Sequence, residues 1–166
     1  MRHIIGILLQ NESGALNRVA GLFTNRGFNI ESLSVSATDD PTVSRITLVT
    51  KGSDEVVNQI VSQLNKLVDV VNVDDMTRGA HVERELALVK LRVSGGQHAA
   101  LDAILQKAGA KLLDTEADLI TAEMTGNESE VTAFVDEIAG KSELVEVVRS
   151  GALALARDGR TLRDVP

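Results

Sequence analysis

Apolar residues in this chain switch between short continuous or alternating runs and a spacing of about 3.6 residues, and the order of the switches is written twice. Ile4-Ile5-Gly6-Ile7-Leu8-Leu9 is too apolar for an exposed strand and suits the centre of a sheet. After the break Asn11-Glu12-Ser13-Gly14, residues Leu16, Val19, Ala20 and Phe23 fall on one face of a helix, and Gly27 stands just past Arg26, where a left-handed cap favours glycine. Ser32 to Ala37 alternates strictly, which predicts a strand with one face buried and one polar. Asp39-Asp40-Pro41 turns the chain, and Ile46 and Leu48 continue a hairpin. Ser53 caps a second helix, with Asp54 and Glu55 suited to its dipole and Val57, Ile60, Val61 and Leu64 on its buried face. Val68 to Val73 predicts the closing strand.

The same order follows in the second half. Leu86 to Val93 reads as a strand, Gln97 to Ala108 as a helix burying Leu101, Ile104 and Leu105 and ended by Gly109, and Lys111 to Thr115 and Leu119 to Thr125 as two short strands. Asn127 and Glu130 open a further helix as a capping-box pair; Val131, Phe134, Val135 and Ile138 form its apolar face and Gly140 ends it. Leu144 to Arg149 closes the pattern. The fold class expected is α+β, two ferredoxin-like βαββαβ domains in tandem. The pattern breaks near Asp74 to Val82, which divides the chain into a first domain over 1–76, a linker over 77–83, a second domain over 84–156 and a tail over 157–166. From Ala152 the residues are small and charged, predicting a short helix and then a frayed end.

Composition narrows the function. Aromatics make up 2% of the 166 residues, with no Trp or Tyr, so base or sugar stacking lacks its platforms. The net charge of −7 repels a phosphate backbone, so no nucleic-acid partner is expected. There is no cysteine for disulfides or thiolate metal sites. The opening residues lack the apolar stretch and cleavage site of a signal peptide, and no apolar run approaches the roughly 18 residues that span a bilayer. A soluble, cytoplasmic protein with no membrane association is expected.

Catalytic patterns are missing. His3, His81 and His98 are scattered, with no metal-ligand spacing, and read as surface or structural histidines. Gly140-Lys141-Ser142 lacks the earlier glycine of a phosphate loop, since Val135 stands there, and it follows a helix instead of a strand. Gly95-Gly96 is a turn. Glu83-Arg84-Glu85 reads as a solvated charge cluster, and the acidic residues otherwise fall in helix first turns and loops. The chain is expected to have no catalytic residues and no metal or cofactor of its own.

Two segments carry recognition chemistry, Asn11 to Leu16 and Gly27 to Ser32. The first puts backbone N–H groups at a helix start, where a carboxylate is favoured, and Gly14 allows close approach. Asn11 and Asn29 offer amide oxygens to an ammonium group and amide N–H groups to a carboxylate, and Leu16 and Ile30 suit a small apolar slot. These features match a zwitterion with a short aliphatic side chain. They also match plain structural roles, with Asn11 capping the helix, Gly14 easing the turn and Asn29 following the helix cap.

Asn11-Glu12-Ser13-Gly14-Ala15-Leu16 followed by Arg26-Gly27-Phe28-Asn29-Ile30-Glu31-Ser32-Leu33 resembles the ACT domain of the acetohydroxyacid (acetolactate) synthase small subunits. So do Thr38-Asp39-Asp40-Pro41, Lys66-Leu67-Val68-Asp69-Val70, Gly79 to Leu86 and Arg149-Ser150-Gly151, and the likeness runs to about Ala156. The resemblance implies an N-terminal ACT domain, a second ferredoxin-like domain and a homodimer. It implies a regulatory subunit that activates a catalytic large subunit holding thiamine diphosphate, magnesium and FAD, and that confers feedback inhibition by valine, or by leucine or isoleucine, in branched-chain amino acid biosynthesis. The ligand site it implies lies between two ACT domains, at Asn11, Gly14, Ala15, Leu16, Asn29 and Ile30. Ser94-Gly95-Gly96-Gln97 stands at the matching turn of the second half, so no equivalent site is expected there. A free-standing ACT-domain sensor acting on transcription is the alternative, and it lacks a DNA-reading segment. An RNA-binding ferredoxin-like module lacks aromatics on its central strands, since Phe23, Phe28 and Phe134 lie on or beside helices.

Overall fold

In the computed structural model, which describes residues 1–163, the chain divides into two units: Met1–Val82 joined by the chain from Ala152 onward, and Glu83–Gly151. The first unit holds β1 (Arg2–Gln10), α1 (Ala15–Arg26), β2 (Ser32–Ala37), β3 (Val43–Lys51), α2 (Asp54–Leu64) and β4 (Val70–Asp75), in the expected βαββαβ order. Its sheet runs β2-β3-β1-β4, with neighbouring strands antiparallel. The apolar run becomes the central β1, buried from His3 to Leu9. Ile5, Ile7 and Leu9 face one way and pack with Val19 and Phe23 of α1 and Val57, Ile60 and Leu64 of α2. Ile4 and Leu8 face the other way.

Helix ends follow their local signals. Gly14 and Gly27 bracket α1 with φ of +86° and +70°, a left-handed conformation that costs other residues. The Ser53 hydroxyl accepts from Val56 N–H at the start of α2. The closing strand forms two residues later than Val68 to Val73 predicts. Val70 N–H turns back to the Leu67 carbonyl, Val68 lies in the loop and is 83% exposed, and the Asp69 side chain is held by Arg18. Leu33 is half-buried and Val35 is 41% exposed, so the face of β2 expected to be buried is largely open. The reason is position: β2 is the sheet's edge, with only β3 beside it.

In the second unit β5 (His81–Arg92), which begins at the end of the first, leads to α3 (His98–Ala108), β6 (Lys111–Glu116), β7 (Leu119–Gly126), α4 (Glu128–Ala139) and β8 (Glu143–Arg149). The strand order is β6-β7-β5-β8, the counterpart of the first sheet. Its own core joins Val89 and Leu91 of β5, Leu101 of α3, and Val131, Phe134 and Ile138 of α4. The Asn127–Glu130 capping box forms as predicted. Glu83-Arg84-Glu85 is not a solvated cluster throughout. It lies within β5, and Glu85 is 5% exposed, accepting from Arg149 Nε at 2.8 Å and Nη2 at 2.7 Å. The alternating pleat turned one of the three charges inward, onto a partner far away in sequence.

The segment from Ala152, expected as a short helix closing the second domain, is instead a strand, β9 (Leu153–Ala156), and groups with the first unit. There Ala152, Ala154 and Leu162 pack with Met76 on Ile4, Leu8 and Val49. Alanine and leucine are good helix formers in isolation, but burying that apolar face outweighs the preference. Arg45 Nη2 donates to the Ala154 carbonyl at 2.8 Å, and Asn72 Nδ2 donates to the Leu162 carbonyl at 2.6 Å. The mid-strand Gly6 is explained by the same contact, because a Cβ there would lie 3.0 Å from both Leu162 Cδ1 and Met76 Cε. Of the expected frayed tail, residues 164–166 lie outside the described residues; Leu162 is 2% exposed.

Candidate functional site

The turn that opens α1 is tied down on two sides. Asn11 does not cap the helix. Its backbone N–H donates to the Thr42 carbonyl at 2.7 Å and its Nδ2 to the Pro41 carbonyl at 2.9 Å, which fastens the turn to the β2–β3 hairpin. Those bonds use N–H groups and not the amide oxygen. Gly14 is the N-cap, with no side-chain cap and no acidic residue in the first turn, unlike α2 and α4. Ala15 is 1% exposed and belongs to the core, its N–H donating to the Glu12 carbonyl at 3.2 Å. Leu16 is 39% exposed and stands beside the turn.

Asn29 and Ile30 lie elsewhere. The Asn29 carbonyl accepts from Thr50 Oγ1 at 2.6 Å, and Thr50 is opposite His3, at the beginning of β1. The Asn29 amide donates from Nδ2 to Glu31 Oε1 at 3.2 Å, and Glu31 pairs with Lys51 Nζ at 2.9 Å. That lysine and amide hold the Glu31 carboxyl below its ordinary range. Ile30 is half-buried on the core. From His3 to Gln10 a strand advances roughly 23 Å at about 3.3 Å per residue. Asn11, Gly14, Ala15 and Leu16 therefore form one group at one end of the sheet, while Asn29 and Ile30 form another at the opposite end. A single chain does not bring the two groups together.

Arg18 and Asp69 were absent from the sequence reading of this corner. Arg18 Nη2 donates to Asp69 Oδ1 at 2.8 Å, Nε donates to Oδ2, and Asp69 is 4% exposed. The Asp69 carbonyl also accepts from Gln10 N–H at 2.8 Å, just before the turn. The fork of hydrogen bonds from Arg18 pulls the Asp69 carboxyl below its usual range, and the same bonds raise Arg18. The one clue in sequence was a cation at the fourth position of a helix, where the dipole disfavours it.

Two open grooves flank this unit. One, of about 620 Å³, is lined by Arg26, Phe28, Asn58, Gln59, Ser62 and Gln63; the other, of about 340 Å³, includes Leu8, Asp40, Val43 and Arg163. Neither contains Asn11, Gly14 or Asn29. His3 is 2% exposed, with its ring between Asp54 and Asp75 at 3.5 and 3.7 Å and no hydrogen bond to either ring nitrogen. Among the described residues no cluster of three or more His, Cys, Asp or Glu side chains is arranged to hold a metal, and no helix is long and apolar enough to cross a membrane.

A βαββαβ unit with this strand order is the ferredoxin-like arrangement to which ACT domains belong. Comparison with known families agrees: residues 5–72 match the ACT domain of acetohydroxyacid synthase small subunits, and residues 84–158 match the small subunit of acetolactate synthase. The chain is 45% identical to the acetolactate synthase isozyme 3 small subunit of Escherichia coli, over 98% of this chain and all of that one. It is 38% identical to a probable acetolactate synthase small subunit of Archaeoglobus fulgidus over 96% of its length and 99% of the relative. Among solved structures, the small subunit from Thermotoga maritima superposes with a TM-score of 0.84 at 33% identity, covering 95% of this chain and 98% of that one. The chain belongs to the acetolactate synthase small subunit family, the regulatory and not the catalytic component of the enzyme of branched-chain amino acid biosynthesis.

Proposed function

We propose that this chain forms a cytoplasmic homodimer that activates the catalytic large subunit of acetolactate synthase and makes it inhibitable by valine, bound between two ACT domains. The large subunit carries thiamine diphosphate, magnesium and FAD. The first unit, Met1–Val82 with the chain from Ala152, binds the ligand and the second copy, and Glu83–Gly151 is a separate unit. Leucine and isoleucine compete for the same slot, which distinguishes one methylene by only about 1–3 kcal/mol.

The separation of the two residue groups carries this reading. Asn11, Gly14 and Leu16 stand about one helix length, roughly 18 Å at about 1.5 Å per residue, from Asn29 and Ile30. A twofold axis across the open edge of β2 sets the Gly14 end of one copy against the Asn29 end of the other. It also covers Val35, which the single chain leaves exposed, and the half-buried Leu33. Asn11 and the N–H groups of the turn then meet the charged ends of the amino acid. Leu16 of one copy and Ile30 of the other line its side chain, and Ala15 shapes the turn from below. Valine inhibits if it favours one arrangement of the dimer and the large subunit favours another.

The test is acetolactate synthase activity of the large subunit, with and without this chain, over a valine titration. Activity should rise on adding the chain and fall with valine only when the chain is present. A valine response that does not depend on the chain would reject the proposal.

A further inference from the structure

We infer that Arg18 is the charge-reading residue of the amino-acid site, a cation fixed by Asp69 so that its free Nη1 edge receives the ligand carboxylate. This deepens the valine reading above and rests on it. The geometry has three parts. First, Asp69 takes Nε and Nη2 of the guanidinium in a two-point fork, so the group is held in one orientation. Second, the remaining edge is turned to the turn: a Cβ built on Gly14 would lie 3.3 Å from Arg18 Nη1, with nothing nearer. Third, the Arg18 side chain remains 45% exposed while that of Asp69 is only 5% exposed, so the anchor is dry and the arginine is reachable from solvent.

Two features of the chain fit this role. A cation in the first turn of a helix opposes the helix dipole and is seldom placed there without a reason. Here α1 has no side-chain cap and no acidic residue in its own first turn, so the helix start and the guanidinium favour the same anion, which competes there only with Glu12 just before the helix. The absence of a side chain at Gly14 then serves two ends: the left-handed backbone at +86°, and the clearance in front of Nη1. Arg18 serves carboxylate against non-carboxylate selectivity, and the ammonium group falls to the asparagine amides.

The test compares valine with valinamide, which keeps the ammonium and the side chain but carries no negative charge. Calorimetry on the full-length protein is run for wild type, Arg18→Gln, and the double variant Arg18→Gln/Asp69→Asn, which leaves no buried carboxylate without its partner. A charge-assisted contact corresponds to about a tenfold to hundredfold change in affinity. Wild type should prefer valine by that factor, and both variants should lose it, with valinamide affinity within about twofold of wild type. Variants that retain the preference, or lose both ligands equally, would overturn the assignment, the second outcome marking Arg18 as structural only. Wild-type protein that binds neither ligand would overturn the valine reading itself, and the role of Arg18 with it.

Discussion

Individual side chains decide how the first turn and the second sheet respond to substitution. Gly14→Asp forces a side chain into left-handed backbone and against Arg18 Nη1, while leaving the core untouched. It should abolish valine inhibition with activation of the large subunit retained, read from the same activity titration. In the second unit, Arg149→Ala would leave the Glu85 carboxylate buried and unpaired, which costs about 3–5 kcal/mol. Urea denaturation monitored by circular dichroism measures the loss, and Glu85→Gln/Arg149→Met should recover most of it. The first turn also carries a pH signature. The Asp69 carboxyl is held below its ordinary value by Arg18, so its contribution to stability is fully present above the usual aspartate range, about pH 3.9. It is lost as the pH falls through the lowered folded value. Asp69→Asn should flatten that part of the acid unfolding curve while changing its slope near neutrality little.

At the level of elements, β2 and β9 are the two that depend on what lies beside them. Val35→Lys places a charge on the open face of the edge strand. It should weaken the proposed dimer in sedimentation equilibrium, with the helical signal unchanged. Leu162→Ala removes a buried side chain from Gly6 and Met76 and should cost about 2–4 kcal/mol, the range for a leucine truncated in a core. What was readable in the sequence follows from distance along the chain. The glycine at 27, the Ser53 cap and the Asn127–Glu130 box act within a few residues, and each forms as predicted. Arg18 with Asp69, Glu85 with Arg149, and Leu162 on Gly6 join distant positions, and no periodicity announces such pairs. One signal was available, a glycine in the middle of an otherwise bulky strand, which points to something packed close against it. The sequence marks six candidate residues, but not their division between the two ends of the sheet, which only the strand register reveals.

For the whole molecule, two separate cores sit on one chain. The cluster around Phe134 and Ile138 shares no residue with that around Phe23 and Ile60, or with the face under Leu162. Each unit has its own apolar interior, so unfolding need not be a single two-state event. Phe134→Ala should lower the melting of the second unit by several degrees in calorimetry, while melting of the first stays near its wild-type temperature. The net charge of −7 belongs to this scale as well, for solubility and for partner choice, and says little about the fold.

The return of the chain at Ala152 makes the second unit a passenger, carried between two attachments on its host. Trimming backward from residue 163 therefore removes Leu162 and then β9 before β8 is reached. A deletion series that loses the proposed valine control after its first dozen residues would be reporting an uncovered sheet in the first unit. Clean removal of the passenger requires an internal excision that rejoins Val82 to Ala152.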